Sequence, residues 1–252
     1  MKKTAILLFL ELLPFAAAAQ VSYTGTAPAA GDQACFQNTL GQVTSCGNVG
    51  TGSVNNVVKS GAFASKPSPT LGALYLATDL GNYGCLLVAT ASQWHPASGA
   101  CTIYQNMVAD TLHTGDTTET NMRAVPLPAA LLSVNGTFRL TALGAATGTN
   151  NTKTYKCYFS STSGANSGAL FLNNAISASS LSGTFVKTFT NRNSASSQVG
   201  GSATNAGTGS SSAADATGTL NTANASYINC SATLANSADA AGYDGLIVEW
   251  LE

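Results

Sequence analysis

From about residue 106 onward the chain repeats one pattern, a large apolar side chain at every second position, interrupted by Gly, Asn and Ser. "GTFRLTAL" sets Phe138, Leu140 and Ala142 on one face and Thr137, Arg139 and Thr141 on the other. "KTYKCYFS" sets Tyr155, Cys157 and Phe159 against Thr154, Lys156 and Tyr158, and "GTFVKTFT" and "ASYINCSATL" continue the habit. Side chains alternate across a strand with a period of two, whereas a helix repeats near 3.6. Each of these segments is therefore a strand with one face for a core and one for water. "GLIVEWLE" is apolar on both faces, with Leu246, Val248 and Trp250 on one and Ile247 and Leu251 on the other. That predicts a central strand or one in a subunit interface. Strands in series, turns between them and no helical period predict an all-β chain whose residues 106–252 form an antiparallel β-sandwich.

The wet faces of these strands carry almost no charge. Asp, Glu, Lys and Arg make up 8% of the chain, about a third of the usual share. Ser, Thr, Asn and Gly supply the polarity instead, and they suit strands and turns better than helices. The first nineteen residues, "MKKTAILLFLELLPFAAAA", read as a bacterial secretory signal peptide: Lys2 and Lys3 start it, Ala5 to Leu13 form its apolar core, and Ala17 and Ala19 precede cleavage before Gln20. Without Lys2, Lys3 and Glu11 the mature chain keeps 8 basic and 10 acidic residues, a net charge of −2. Nucleic acid is excluded as a partner on that ground, since binding it takes a basic patch. No later segment approaches a membrane span, so the expected location is secreted or cell-surface.

All six cysteines, Cys35, Cys46, Cys85, Cys101, Cys157 and Cys230, follow the signal segment. An even count in an oxidising compartment points to disulfides. Sequence alone leaves the connectivity open, and closure between nearest neighbours suggests Cys35–Cys46, Cys85–Cys101 and Cys157–Cys230. Zinc fits poorly, with no CxxC pair and two histidines, His95 and His113. Residues 20–69 read as an extended Gly/Ser/Thr-rich arm, punctuated by "TGTAPAAGDQ" and "SKPSPT". Residues 70–105 read as a small β-hairpin module: "ALYLATD" and "YGCLLVAT" alternate as strands around the turn "DLGN", and "HPASG" turns the chain again. A module so small needs a staple, which a Cys85–Cys101 bridge would supply. Its aromatics Tyr75, Tyr83 and Trp94 are the candidate ligand contacts, because an exposed ring stacks on a sugar while Asn and Thr bond the hydroxyls. The alternative is that they form the module's own core. Between the strands around Phe185 and Tyr227 runs a low-complexity stretch, residues 193–225, read as a surface loop or a pair of weak edge strands.

Two stretches resemble a known family. "LGALYLATDLGNYGCLLVATASQW" is similar to short G-x-L-Y-x-A-T-D-x-G modules of phage tail-fibre and other virion-surface proteins, where a β-hairpin precedes a receptor-facing domain. "LHTGDTTETNMRAVPLPAALLSVNGTFRLTAL", followed by "NNTKTYKCYFS", resembles the start of the jelly-roll-like sandwich of phage structural proteins. The matching positions are His113, Thr114, Gly115, Thr118, Glu119, Thr120, Pro126, Pro128, Asn135, Gly136 and Lys153. The resemblance implies a non-enzymatic structural or surface-recognition protein, a homo-oligomer with a trimer favoured, that binds a surface glycan or receptor. Two further readings stand beside it: a structural subunit of an extracellular fibre or particle, and a secreted glycan-processing enzyme.

Catalysis finds little support in the residues. His113 has Asp110 and Asp116 near it in sequence, but no G-x-S-x-G elbow accompanies them. Asp79, Asp116, Glu119, Asp244 and Glu249 are available as carboxylates, and no spacing marks two of them as a facing pair. No catalytic residue, metal or cofactor is therefore expected. Mass spectrometry of the secreted form should find Gln20 as the new N-terminus and no free thiol; three or more free cysteines would remove the disulfide framework.

Overall fold

A computed structural model of the chain describes residues 34–37, 42–45, 58–147, 151–176, 179–204 and 214–252. The signal segment 1–19, most of the arm and Cys46 lie outside these residues, and with Cys46 the Cys35–Cys46 pairing. The chain divides into two units, 1–57 and 58–252. In the first, β1 (Ala34–Gln37) and β2 (Gln42–Ser45) pair antiparallel within the stretch expected to be an extended arm.

The second unit carries the rest of the strands. A small sheet holds β3 (Lys59–Gly61), β4 (Leu74–Ala77), β5 (Cys85–Ala89) and β6 (Trp94–Pro96), in that order. Then follow β7 (Ala100–Asn106), β8 (His113–Thr114), β9 (Thr120–Leu127), β10 (Thr137–Thr147), β11 (Lys153–Ser160), β12 (Ala169–Ile176) and β13 (Ser182–Asn191). The last four are β14 (Gln198–Gly200), β15 (Ala216–Gly218), β16 (Ser226–Leu234) and β17 (Ala240–Leu251). One sheet runs β15-β14-β13-β10-β17-β7, with β8 also paired to β17, and the other runs β12-β11-β16-β9.

These pairings follow jelly-roll connectivity. β7 pairs β17, β9 pairs β16, β10 pairs β13 and β11 pairs β12, as though one long antiparallel hairpin had been laid out. Rolling that hairpin over itself adds β10 to β17 and β11 to β16 and yields two sheets. The chain is all-β, an antiparallel sandwich as the alternation predicts. The low-complexity stretch contributes β14 and β15, a pair of short strands at the edge of the larger sheet.

The inward faces are those the period of two selects. Phe138, Leu140, Ala142, Tyr155, Cys157 and Phe159 are all buried. Phe138, Phe159, Phe171 and Phe189 come from β10, β11, β12 and β13, two strands of each sheet, and their rings lie 5.3–5.9 Å apart. Such pairs contribute about 0.5–1.5 kcal/mol each beyond the area they bury. A second cluster joins Tyr155 to Phe185 at 5.2 Å and to Tyr243 at 5.3 Å. Gly144 and Gly183 face one another across β10 and β13 beneath it. A Cβ on Gly144 would stand 2.9 Å from the Tyr155 ring, and one on Gly183 2.9 Å from the Phe185 ring. The glycines leave the space that the rings fill.

β17 lies between β10 and β7, so the apolar last strand is central. Leu246, Val248 and Trp250 point into the core, and a bulge beside Leu143/Gly144 turns Asp244 out to solvent. Trp250 meets Phe63 edge-on at 6.0 Å. Phe63 belongs to the stretch read as the end of the arm; here residues 58–69 pack on the unit, with β3 parallel to β4 and Phe63 1% exposed.

Two disulfides close within the unit. Cys157–Cys230 joins directly opposed residues of β11 and β16, with Cα atoms 4.1 Å apart. Cys85–Cys101 joins β5 of the small sheet to β7 of the larger one, so its staple spans two sheets rather than one module. Such bonds fit an oxidising compartment. Among the described residues no helix is long and apolar enough to cross a membrane. Phe138→Ala should cost about 3–5 kcal/mol of stability, measured by urea unfolding with the disulfides intact, because it removes three ring contacts at once.

Candidate functional site

The loop from β4 to β5 determines what surface is left for a ligand. Its Gly81 has φ +63°, and a Cβ there would stand 2.1 Å from the Thr102 carbonyl oxygen, so glycine is required. This close approach lets Gly81 N–H donate to the Ile103 carbonyl at 3.0 Å, laying the loop along the free edge of β7. Asp79, at the loop's start, accepts a 2.6 Å bond from the Phe63 N–H and so anchors the segment before it.

Two adjoining clefts flank the loop. One, of about 580 Å³, is lined by Tyr83, Ser98 and Thr102, with Cys85 and Cys101 among its walls. The other, of about 530 Å³, is lined by Leu80, Tyr104, Pro126 and Pro128. Asn82 and Gln105 line both. No charged residue lines the first, and the second has Asp79 alone. The side chains of Asn82, Thr102 and Gln105 are exposed and make no hydrogen bond among the described residues.

The three aromatic candidates part company here. Tyr83 is 93% exposed at the lip of the first cleft. Tyr75 and Trp94 are buried, with rings 5.9 Å apart. Tyr75 donates its hydroxyl to the Ala62 carbonyl at 2.8 Å and Trp94 its indole N–H to the Pro67 carbonyl at 2.9 Å. Both are core residues that hold 62–67 on the small sheet, as the packing alternative has it, and Tyr83 is the one ring of the three open to a ligand. Trp94 is drawn inward because β6 alternates, with His95 outward and paired with Glu252.

Of the ionisable candidates Asp244 stands exposed to solvent, and the others are occupied in structure. His113 lies 3.5 Å from Asp116, whose carboxylate accepts bonds from the Thr118 N–H and hydroxyl in a tight turn. Glu249 pairs with Arg139 at 2.7 Å on the outer sheet face. Glu119 accepts from Lys156 at 2.6 Å, Ser231 at 2.6 Å and Tyr158 at 2.8 Å. Burial pushes the Glu119 carboxyl up, but these three donors outweigh it and hold it below the ordinary glutamate range. Its backbone carbonyl takes a further bond from Asn166, in the loop that Asn229 also pins through Thr162, Gly164 and Ala165.

Sequence reasoning gave no hint of the clamp at Arg123. Its guanidinium is buried and bonds Asp110 at 2.9 Å and the carbonyls of Asn106, Val108 and Tyr243. Burial pushes the Asp110 carboxyl above its usual range despite that partner. Among the described residues no group of three or more His, Cys, Asp or Glu is placed to hold a metal ion.

No family model matches the chain, and neither a curated protein nor a solved structure is detectably similar to it.

The lowered Glu119 pKa has a definite sign in stability. A depressed folded-state carboxyl stabilises the fold above its unfolded pKa and loses that contribution as pH falls through the folded value. The melting temperature should therefore drop on going from about pH 5 to about pH 3, and Glu119→Gln should flatten that drop while melting lower at neutral pH, where Lys156 loses its partner. Melting curves across this range read the difference.

Proposed function

We propose that this chain is an exported, non-enzymatic surface-recognition protein that binds a cell-surface ligand through the uncharged cleft beside Tyr83. The observation carrying the reading is the 93% exposure of Tyr83 over a cleft whose lining includes the hydroxyls and amides of Asn82, Ser98, Thr102 and Gln105. An aromatic ring left in water beside unpaired amides supports ligand contact, because buried rings and satisfied amides are the usual packed outcome. Asp79, Asp110, Asp116, Glu119 and Glu249, by contrast, are taken up by structural partners, and this supports binding over hydrolysis. Jelly rolls recur in viral capsid and lectin domains, an analogy of fold that agrees with the tail-fibre resemblance of "LGALYLATDLGNYG" without assigning a ligand.

A single shallow cleft binds weakly, and self-association would multiply it. A homo-oligomer, a trimer being the favoured form, is therefore part of the proposal. A specific feature supports self-association: on the outer face of the small sheet Leu74 stands opposite Val88 and Leu76 opposite Leu86, with Leu71 77% exposed beside them. The same feature supports the second reading, a subunit of an extracellular fibre or particle.

Labelled mature protein should bind whole bacterial cells, and Tyr83→Ala should abolish that binding with its melting temperature unchanged. Trp94→Ala should instead lower stability by about 3–5 kcal/mol, as befits a core ring. Retained binding in Tyr83→Ala overturns the cleft as the contact, and light scattering that shows a strict monomer overturns the avidity argument.

A further inference from the structure

Resting on the recognition reading, we infer that the ligand is an extended neutral polysaccharide chain, lying along β7 across both clefts. The two clefts share Asn82 and Gln105, so they adjoin, and the proposed ligand occupies them together as one trough. Its lining follows β7 from Ala100 to Asn106, a run of roughly 20 Å at the usual rise per residue. That length suits several pyranose rings end to end and exceeds what one sugar would fill. One cleft offers Tyr83 and the other Tyr104 with Pro126 and Pro128 as apolar surface for the flat carbon faces of the rings. Both clefts share the unpaired amides of Asn82 and Gln105, which both donate and accept and so match hydroxyls.

Charge and backbone geometry decide between ligand classes. A phosphorylated or acidic polymer would call for Arg or Lys, and none lines the trough. An extended peptide would recognise a sheet edge by adding a strand to it. The loop at Gly81 already occupies that edge, with its N–H on the Ile103 carbonyl, so strand addition to β7 is blocked where the trough runs. A neutral glycan needs side chains and ring faces, which the trough supplies.

Calorimetric titration of the mature protein with neutral oligomers of glucose, galactose, mannose and N-acetylglucosamine, one to six units long, tests this. For at least one series the affinity should climb about tenfold or more from the single sugar to the hexamer, each further sugar adding hydrogen bonds worth a few-fold apiece. Gln105→Ala should remove about three- to tenfold of hexamer affinity. Equal affinity for one and six units overturns the trough and leaves Tyr83-dependent recognition standing. Tyr83-dependent binding to cells with no binding of any oligomer, or with binding of an extended peptide instead, overturns the glycan class alone. Loss of neither cell binding nor oligomer binding in Tyr83→Ala removes the underlying reading as well.

Discussion

Four phenylalanine rings, one each from β10, β11, β12 and β13, are the contact on which the sandwich depends. Two sheets of a jelly roll are joined by connections at their ends, so their spacing and alignment must come from what the inner faces interlock. Rings from both sheets meeting at one place fix that alignment. The second cluster, Tyr155 with Phe185 and Tyr243, repeats the arrangement farther along and takes the room left by Gly144 and Gly183. With the aromatic interior carrying cohesion, the outer faces can be built from Thr, Ser and Asn at little electrostatic cost.

The charges that remain are spent on fixing irregular segments. Arg123 gathers carbonyls from the end of β7, from the stretch after it and from β17, and Asp110 completes the knot. Glu119 collects donors from β11 and β16 on the outer face of the other sheet. A chain so poor in charge places these groups where a loop must be held against a strand, which is why few of them are left for chemistry.

Much of the fold was legible because periodicity and burial coincide: the face carrying Phe138, Leu140 and Ala142 is the buried one, and the two-sided strand at Leu246–Leu251 is central. Two cysteine pairs followed from proximity along the chain. Phe63 was not legible, since a lone aromatic between alanines has no period to betray its direction. Neither was the trough, whose walls come from residues 79–86, 97–106, 126–128 and 225. Those segments meet because β7 enters the larger sheet beside β17, a pairing that no local pattern announces. Tyr75, Tyr83 and Trp94 share a short stretch and a chemistry, but strand alternation buries two and a turn exposes the third.

The place of β17 also sets the order in which this molecule can assemble. β7 has no partner in its sheet until the final strand arrives, and β10 has one of its two. A chain delivered N-terminus first must therefore hold β7 through β16 in an unfinished state, with Phe138 and Leu140 part-covered. Contacts of such sequence separation close slowly, on a millisecond-to-second scale. Closure of the larger sheet of this sandwich thus waits on β17, whereas the β11–β16 pairing that holds Cys157 opposite Cys230 needs no later strand.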